Sequence, residues 1–290
     1  MPSLYWYLGL ALISILIAVI SIYKKRQVTK VSTFIVFYLF SASITWIGEF
    51  IVLGLFDSYA YKPGVFPNRW EENLLGHLIL NSSMYPAAAT LMVAYSMGYL
   101  GMSLITAAFV LAEFLFVKLG IYEQHWWRYY MSVITVMLFL VITRKWFEKL
   151  KRAGNGPVRT TVFYFSCFIF IHLPSPLMLL NEKQYYDVDF IRSIFGDVYR
   201  SSIMFSFTYH LLETFLFVLF VCILKRWYWK LVPFAIAYLG QGLLLSMDVL
   251  RLLNGWKLVY TLGFYTLSLI AAILLERYTL NPADYRTGFV

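Results

Sequence analysis

Apolar runs of about twenty residues recur nine times along this 290-residue chain. A helix rising 1.5 Å per residue crosses a hydrocarbon core of about 30 Å with that many residues. The runs therefore predict an all-α, polytopic transmembrane bundle. Its spans fall near 3–22, 32–56, 74–97, 99–119, 127–143, 161–180, 202–224, 231–248 and 258–275. Composition agrees: 61% of residues are hydrophobic, 20% aromatic and only 13% charged, and mean hydropathy is +0.70. Soluble domains carry about 45–50% apolar and about 25% charged residues. An ordinary soluble enzyme, a disordered chain and a secreted disulfide scaffold are excluded.

The net charge of +9 invites a nucleic-acid reading, and the placement of the charges removes it. With the N-terminus outside, the inner segments hold fifteen basic residues against Glu148, Glu276 and Asp284. The outer segments hold nine basic and nine acidic residues. That asymmetry follows the positive-inside rule and predicts an N-out, C-in protein of the cell inner membrane. The start of the chain has no basic n-region, and its first run leads into Lys24, Lys25 and Arg26. An uncleaved leading helix is expected.

Aromatic clusters flank the runs: Tyr5, Trp6 and Tyr7, then Trp126 and Trp127, then Trp227, Tyr228 and Trp229. Such rings suit the headgroup region, where an apolar body and a polar tip are both satisfied. Cys167 and Cys222 sit within apolar runs and read as small buried hydrophobes.

The chain also repeats itself. VFYLF at Val36 recurs as VFYFS at Val162, an offset of 126 residues. Pro86 and Glu213 are 127 apart, Glu113 and Gln241 are 128 apart, and Trp127-Arg128 returns as Trp256-Lys257 after 129. Tyrosine-rich outer loops follow the second and sixth runs, with Tyr59 and Tyr61 in one and Tyr185 and Tyr186 in the other. The expected layout is a leading helix and basic inner loop (1–31) and a first four-helix unit (32–150). A basic linker (151–160) then leads to a second unit with a short tail (161–290). Four helices per unit make the repeats parallel, as in some transporter halves.

Ionisable groups at membrane depth are costly and mark functional sites. Of fifteen acids only Glu49, Glu113 and Glu213 fall inside runs away from a run's last residue, and His77, His172 and His210 join them. Candidate ligand-binding or proton-relay residues are Glu49, Glu113, His172, His210 and Glu213. His210 and Glu213 share a helix face at i, i+3; a polar knot that only fixes packing is the competing reading. His172-Leu-Pro-Ser-Pro176 is expected to break the sixth span near its centre, freeing carbonyls. No histidine pair has the spacing to share a helix face, and no phosphate-binding glycine loop or nucleophile elbow is present. The expectation is no metal, no cofactor and no nucleic-acid partner.

Trp46, Tyr59 and Tyr61, followed by Glu71-Glu72 at a helix start, resemble the membrane-embedded carotenoid (lycopene) cyclase-type units. Those have short multi-helix units in pairs and a proline-acid-acid motif heading a helix. Trp70 stands here in place of the proline, and the second unit has no acid pair. The chain is also similar to uncharacterised multi-pass bacterial inner-membrane proteins. The leading expectation is binding or transport of a small or lipidic solute in a cavity between the repeats. Alternatives are a non-catalytic membrane assembly or sensor subunit, and an intramembrane enzyme acting on an isoprenoid or lipid. An enzyme is not the favoured reading. Expected partners are the lipid bilayer, a small or lipidic ligand, and a homo- or hetero-oligomer.

Overall fold

A computed structural model describes residues 3–152, 156–224 and 226–277. The protein is all-α, 79% helical, and forms two compact units, Met1–Ala153 and Gly154–Val290. Among the described residues, seven helices are long and apolar enough to cross a membrane.

The first unit opens with α1 (Leu4–Lys25). Its buried positions Ala11, Ser14, Ala18 and Ser21 are small and recur every three or four residues. A stripe of that kind lets a neighbouring backbone come close, while the large apolar side chains around it stay exposed, as lipid requires. Helix α2 (Val31–Glu49) runs on as a π turn over Phe50–Leu55 and leads to strand β1 (Tyr59–Tyr61). Next comes α3 (Arg69–Ala94), on which α1 and α2 both pack. Asn68 caps it, its Oδ1 accepting the Trp70 N–H. Helix α4 (Tyr99–Lys118), strand β2 (Tyr122–Gln124) and α5 (Tyr129–Arg152) complete the unit. Phe37 of α2 meets Phe147 of α5 edge-on, ring centres 4.8 Å apart.

The second unit begins with α6 (Pro157–His172) and α7 (Pro174–Leu180). The break expected at His172-Leu-Pro-Ser-Pro176 is a one-residue interruption at Leu173. That residue keeps right-handed helical dihedrals and still donates its N–H to Ile169 O. Strand β3 (Gln184–Tyr186) and the short α8 (Asp189–Phe195) follow, then α9 (Val198–Val218) with a π turn over Leu219–Ile223. A 3-10 turn over Trp227–Leu231 opens α10 (Val232–Ser246), and strand β4 (Leu250–Leu252) and α11 (Leu258–Leu275) close the described chain.

All nine expected helical regions are present, with shifted ends. The fifth runs to Arg152, because Arg144 to Arg152 continue the helix instead of forming a basic loop. Linker residues 153–155 and tail residues Asp284 and Arg286 lie outside the described residues. Two of the nine regions are not among the seven long, apolar helices. Helix α3 carries Asn73, His77 and Asn81, and α10 has 15 residues.

Each unit also contains a strand pair that the apolar runs give no hint of. β1 pairs antiparallel with β2, with Tyr61 opposite Tyr122, and β3 pairs antiparallel with β4, with Tyr186 opposite Leu250. Two aromatics expected in the headgroup belt turn inward instead. Tyr7 is fully buried, its hydroxyl donating to Ile121 O at 2.5 Å, and Trp127 donates Nε1–H to Ser132 Oγ at 2.7 Å. Trp6 and Trp227 keep the exposed positions a belt requires.

Candidate functional site

Successive strand residues point to opposite faces, so β1 and β2 present Tyr59, Tyr61, Tyr122 and Gln124 to the interior of the first unit. Glu123 faces out and pairs with Lys62; that hydrogen bond and charge hold its carboxyl below the usual range. The three tyrosine rings meet with centres 5.1–5.6 Å apart. The strand is fixed to α3 by the Tyr61 N–H, which donates to Asn73 Oδ1 at 2.8 Å. Gly76 makes the approach possible, since a Cβ there would overlap Tyr61 Cβ.

This face reaches two of the five candidate residues. Tyr59 donates its hydroxyl to Glu49 Oε2 at 2.7 Å, and Gln124 Nε2 donates to Glu113 Oε1 at 2.8 Å. The second Glu49 oxygen is buried and accepts no hydrogen bond, with Tyr61 and Asn81 close to the same carboxyl. Neither acid has a basic partner among the described residues. Between the tyrosines, Tyr85 and Phe109 lies a cavity of about 80 Å³, with Glu113 on its wall. One water needs about 10–15 Å³ on this measure, so the space holds several waters or a small ligand. Burial, and then the Glu49 charge, push the Tyr59 and Tyr61 hydroxyls well above the ordinary phenol range. Burial and then Glu113 do the same to Tyr122.

Neighbouring acids have other work. Glu72 accepts three backbone N–H groups, from Gly64, Val65 and Phe66, at 2.5–2.6 Å, and so ties the 64–66 loop to α3. Glu71 is buried beside it. His77 Nδ1 lies 3.2 Å from Asn81 Nδ2, with its ring against Trp46. His125 is held by Asp57, whose carboxylate also takes Arg69.

The other three candidates meet in the second unit. His172 Nδ1 lies 3.1 Å from His210 Nδ1, and His210 Nε2 lies 2.8 Å from the Tyr265 hydroxyl. That hydroxyl is 3.3 Å from Tyr186, whose own hydroxyl donates to Gln241 Oε1 at 3.2 Å. Glu213 is 5% exposed; neither of its oxygens makes a hydrogen bond, and His210 Nε2 is 3.9 Å away. Burial pushes the Tyr186 hydroxyl up to about 12.

Each phenol has one proton, and a neutral imidazole has one donor and one acceptor nitrogen. The chain from His172 to Gln241 can therefore be satisfied in two directions only. Protons can all point toward Gln241, which accepts through its carbonyl. They can instead all point toward His172, with the Gln241 amide turned over to donate. The two states differ in the tautomers of both imidazoles, in the direction each phenol O–H points and in the orientation of the Gln241 amide.

The five candidates thus form two internal sets: Glu49 and Glu113 around the β1–β2 tyrosines, and His172, His210 and Glu213 with Tyr265. Tyr85, Tyr122 and Tyr265 escape sequence reasoning, because tyrosine is common throughout this chain. The alternation Tyr59-Ala-Tyr61 was the one local signal of a strand. Comparison with protein-family models, with curated proteins and with solved structures finds no match to this chain.

Proposed function

We propose that this is a nine-span membrane protein, N-out and C-in, with a leading helix and two four-helix repeats, that binds a small solute in the first unit as the first step of transport. The carrying observation is the tyrosine-walled cavity with Glu113 on its wall and, among the described residues, no basic residue to neutralise either Glu113 or Glu49. A carboxylate left unpaired at membrane depth is costly, and a bound ligand would offset that cost.

The nine-span layout is supported by the β1–β2 pair. It joins the loop after α2 to the loop after α4, which puts both loops on one side and fits α3 as the return crossing to α4, itself long and apolar enough to span. The repeat is supported by bonds made twice. Tyr38 donates its hydroxyl to Ser82 O, and Tyr164 to Leu211 O. Trp127 donates to Ser132, and Trp256 to Thr261, with donor and acceptor each 129 residues on. Tyr61 N–H donates to Asn73, and Tyr186 N–H to Ser202. On these bonds α3 and α9 align with an offset of 129, so Glu213 matches Met84 rather than Pro86.

The test is native mass spectrometry of the protein purified in lipid nanodiscs. A solute released from the wild type and absent from Glu113→Gln, with both folded, supports the reading. A wild type that carries no solute, and binds none from a small-molecule panel, overturns it.

A further inference from the structure

We infer that the solute of the first unit is a small organic ammonium cation; this rests on the solute-binding reading above. Three features of the cavity choose the class. Its walls are aromatic: Tyr59, Tyr61, Tyr85, Phe109, Tyr122 and Trp127 all line it. Its one charged wall residue is an acid, Glu113, and a second acid, Glu49, stands one hydrogen bond behind Tyr59. No lysine or arginine lines it.

Aromatic faces carry negative electrostatic potential and attract ammonium groups, most strongly where water is excluded. The phenol protons do not oppose this. Tyr59 points its hydroxyl at Glu49, so that proton is already taken by an acceptor and is not presented to a cation. An anion would meet two carboxyl groups and no cation. A bare metal ion would need several oxygen ligands, and no group of three His, Cys, Asp or Glu residues comes together among the described residues. A purely hydrocarbon solute would cover Glu113 without giving it a partner. An ammonium ion meets both demands at once, with its alkyl groups on the rings and its charge near Glu113. The cavity of about 80 Å³ limits the cation to a headgroup of a few heavy atoms.

The second unit carries Gln241 at the position that corresponds to Glu113, and Gln184 and Leu250 opposite Leu252 and Tyr186 where the first unit has Tyr59 and Tyr122. The carboxyl and two of the three rings are missing together. The cation site therefore belongs to the first unit alone.

The experiment is calorimetric titration of the nanodisc-embedded protein with choline, with its uncharged carbon isostere 3,3-dimethylbutan-1-ol, and with acetate. Choline should bind at one site per chain. The isostere should bind at least about tenfold more weakly, the loss expected when a desolvated cation–π contact disappears. Glu113→Gln should weaken choline by about tenfold or more, and Tyr85→Leu by severalfold. Glu123→Gln, on the outer strand face, should leave affinity unchanged and serves as the folded control. Equal binding of choline and isostere, or binding of acetate alone, overturns the cationic class while leaving a solute site in place. Absence of binding by all three, together with absence of any co-purified solute, overturns the solute-binding reading itself.

Discussion

Nδ1 of His172 faces Nδ1 of His210 at 3.1 Å, in a fully buried contact. Two like nitrogens at that distance share one proton, so each ring fixes the tautomer of the other. His172→Phe and His210→Phe should each destabilise the second unit by about 1–3 kcal/mol, because each removes one side of a buried polar contact. The double variant should cost less than the sum, with a coupling of about 0.5–3 kcal/mol. Denaturant unfolding in mixed micelles measures the cycle, and strict additivity would refute the shared proton.

Gly76 of α3 faces β1, where an added Cβ would overlap Tyr61 Cβ. Gly76→Ala should therefore destabilise the first unit by about 1–3 kcal/mol despite the better helix propensity of alanine. Gly48 of α2 has nothing within 4 Å of a built Cβ. Gly48→Ala should be neutral or slightly stabilising. Unfolding midpoints that are alike for the two variants would contradict the close approach of strand and helix.

Glu72 holds three N–H groups of the 64–66 loop. Hydrogen bonds to a charged acceptor are the strong ones, and Glu72→Ala should cost about 2–3 kcal/mol. Solute binding at saturation should persist in the fraction that stays folded. Loss of binding or turnover with unchanged stability would point instead to the acid-pair chemistry that the cyclase-type units suggest.

Stability should fall in alkali. The Tyr186 hydroxyl is raised from about 10 to about 12 in the folded protein, and Tyr59, Tyr61 and Tyr122 are also raised. Above the unfolded phenol value of about 10, the unfolded chain releases protons that the folded chain keeps. Folding stability is therefore intact below that value and is lost as pH rises toward the folded values. Thermal unfolding scanned upward from about pH 8 should show the decline, and Tyr186→Phe should flatten it. A midpoint that is independent of pH would refute the buried phenols.

Helix positions were legible in the sequence because lipid imposes one length and one polarity on every crossing segment. Even the extension of α5 to Arg152 departs from expectation only where charged residues take over a helix already begun. The strand pairs were not legible. Three residues at Tyr59–Tyr61 find partners at Tyr122–Gln124, and no local pattern encodes a pairing across that separation. The candidate acids and histidines could be named, since charge at membrane depth is rare, but their grouping depends on helix rotation. His172 and His210 lie on different helices, 38 positions apart, and the sequence between them carries no sign that they meet. The cavity walls were hidden for a further reason: a tyrosine in a headgroup belt and one in a binding wall look identical in sequence.

The polar inner face of α3 has a consequence for how the protein is made. Asn73, His77 and Asn81 are all buried within the first unit, so this helix is less apolar than α1 and α2 and shields its polar side chains only in company. Such a segment leaves a translocon reluctantly, whereas α1 and α2 are apolar enough to enter the bilayer first. Insertion of α3 should then be a chaperoned event, assisted within the same nascent chain by the two helices it will pack against. A glycosylation reporter placed after α3 would read this directly, with efficient integration behind α1 and α2 and poor integration when α3 is presented by itself.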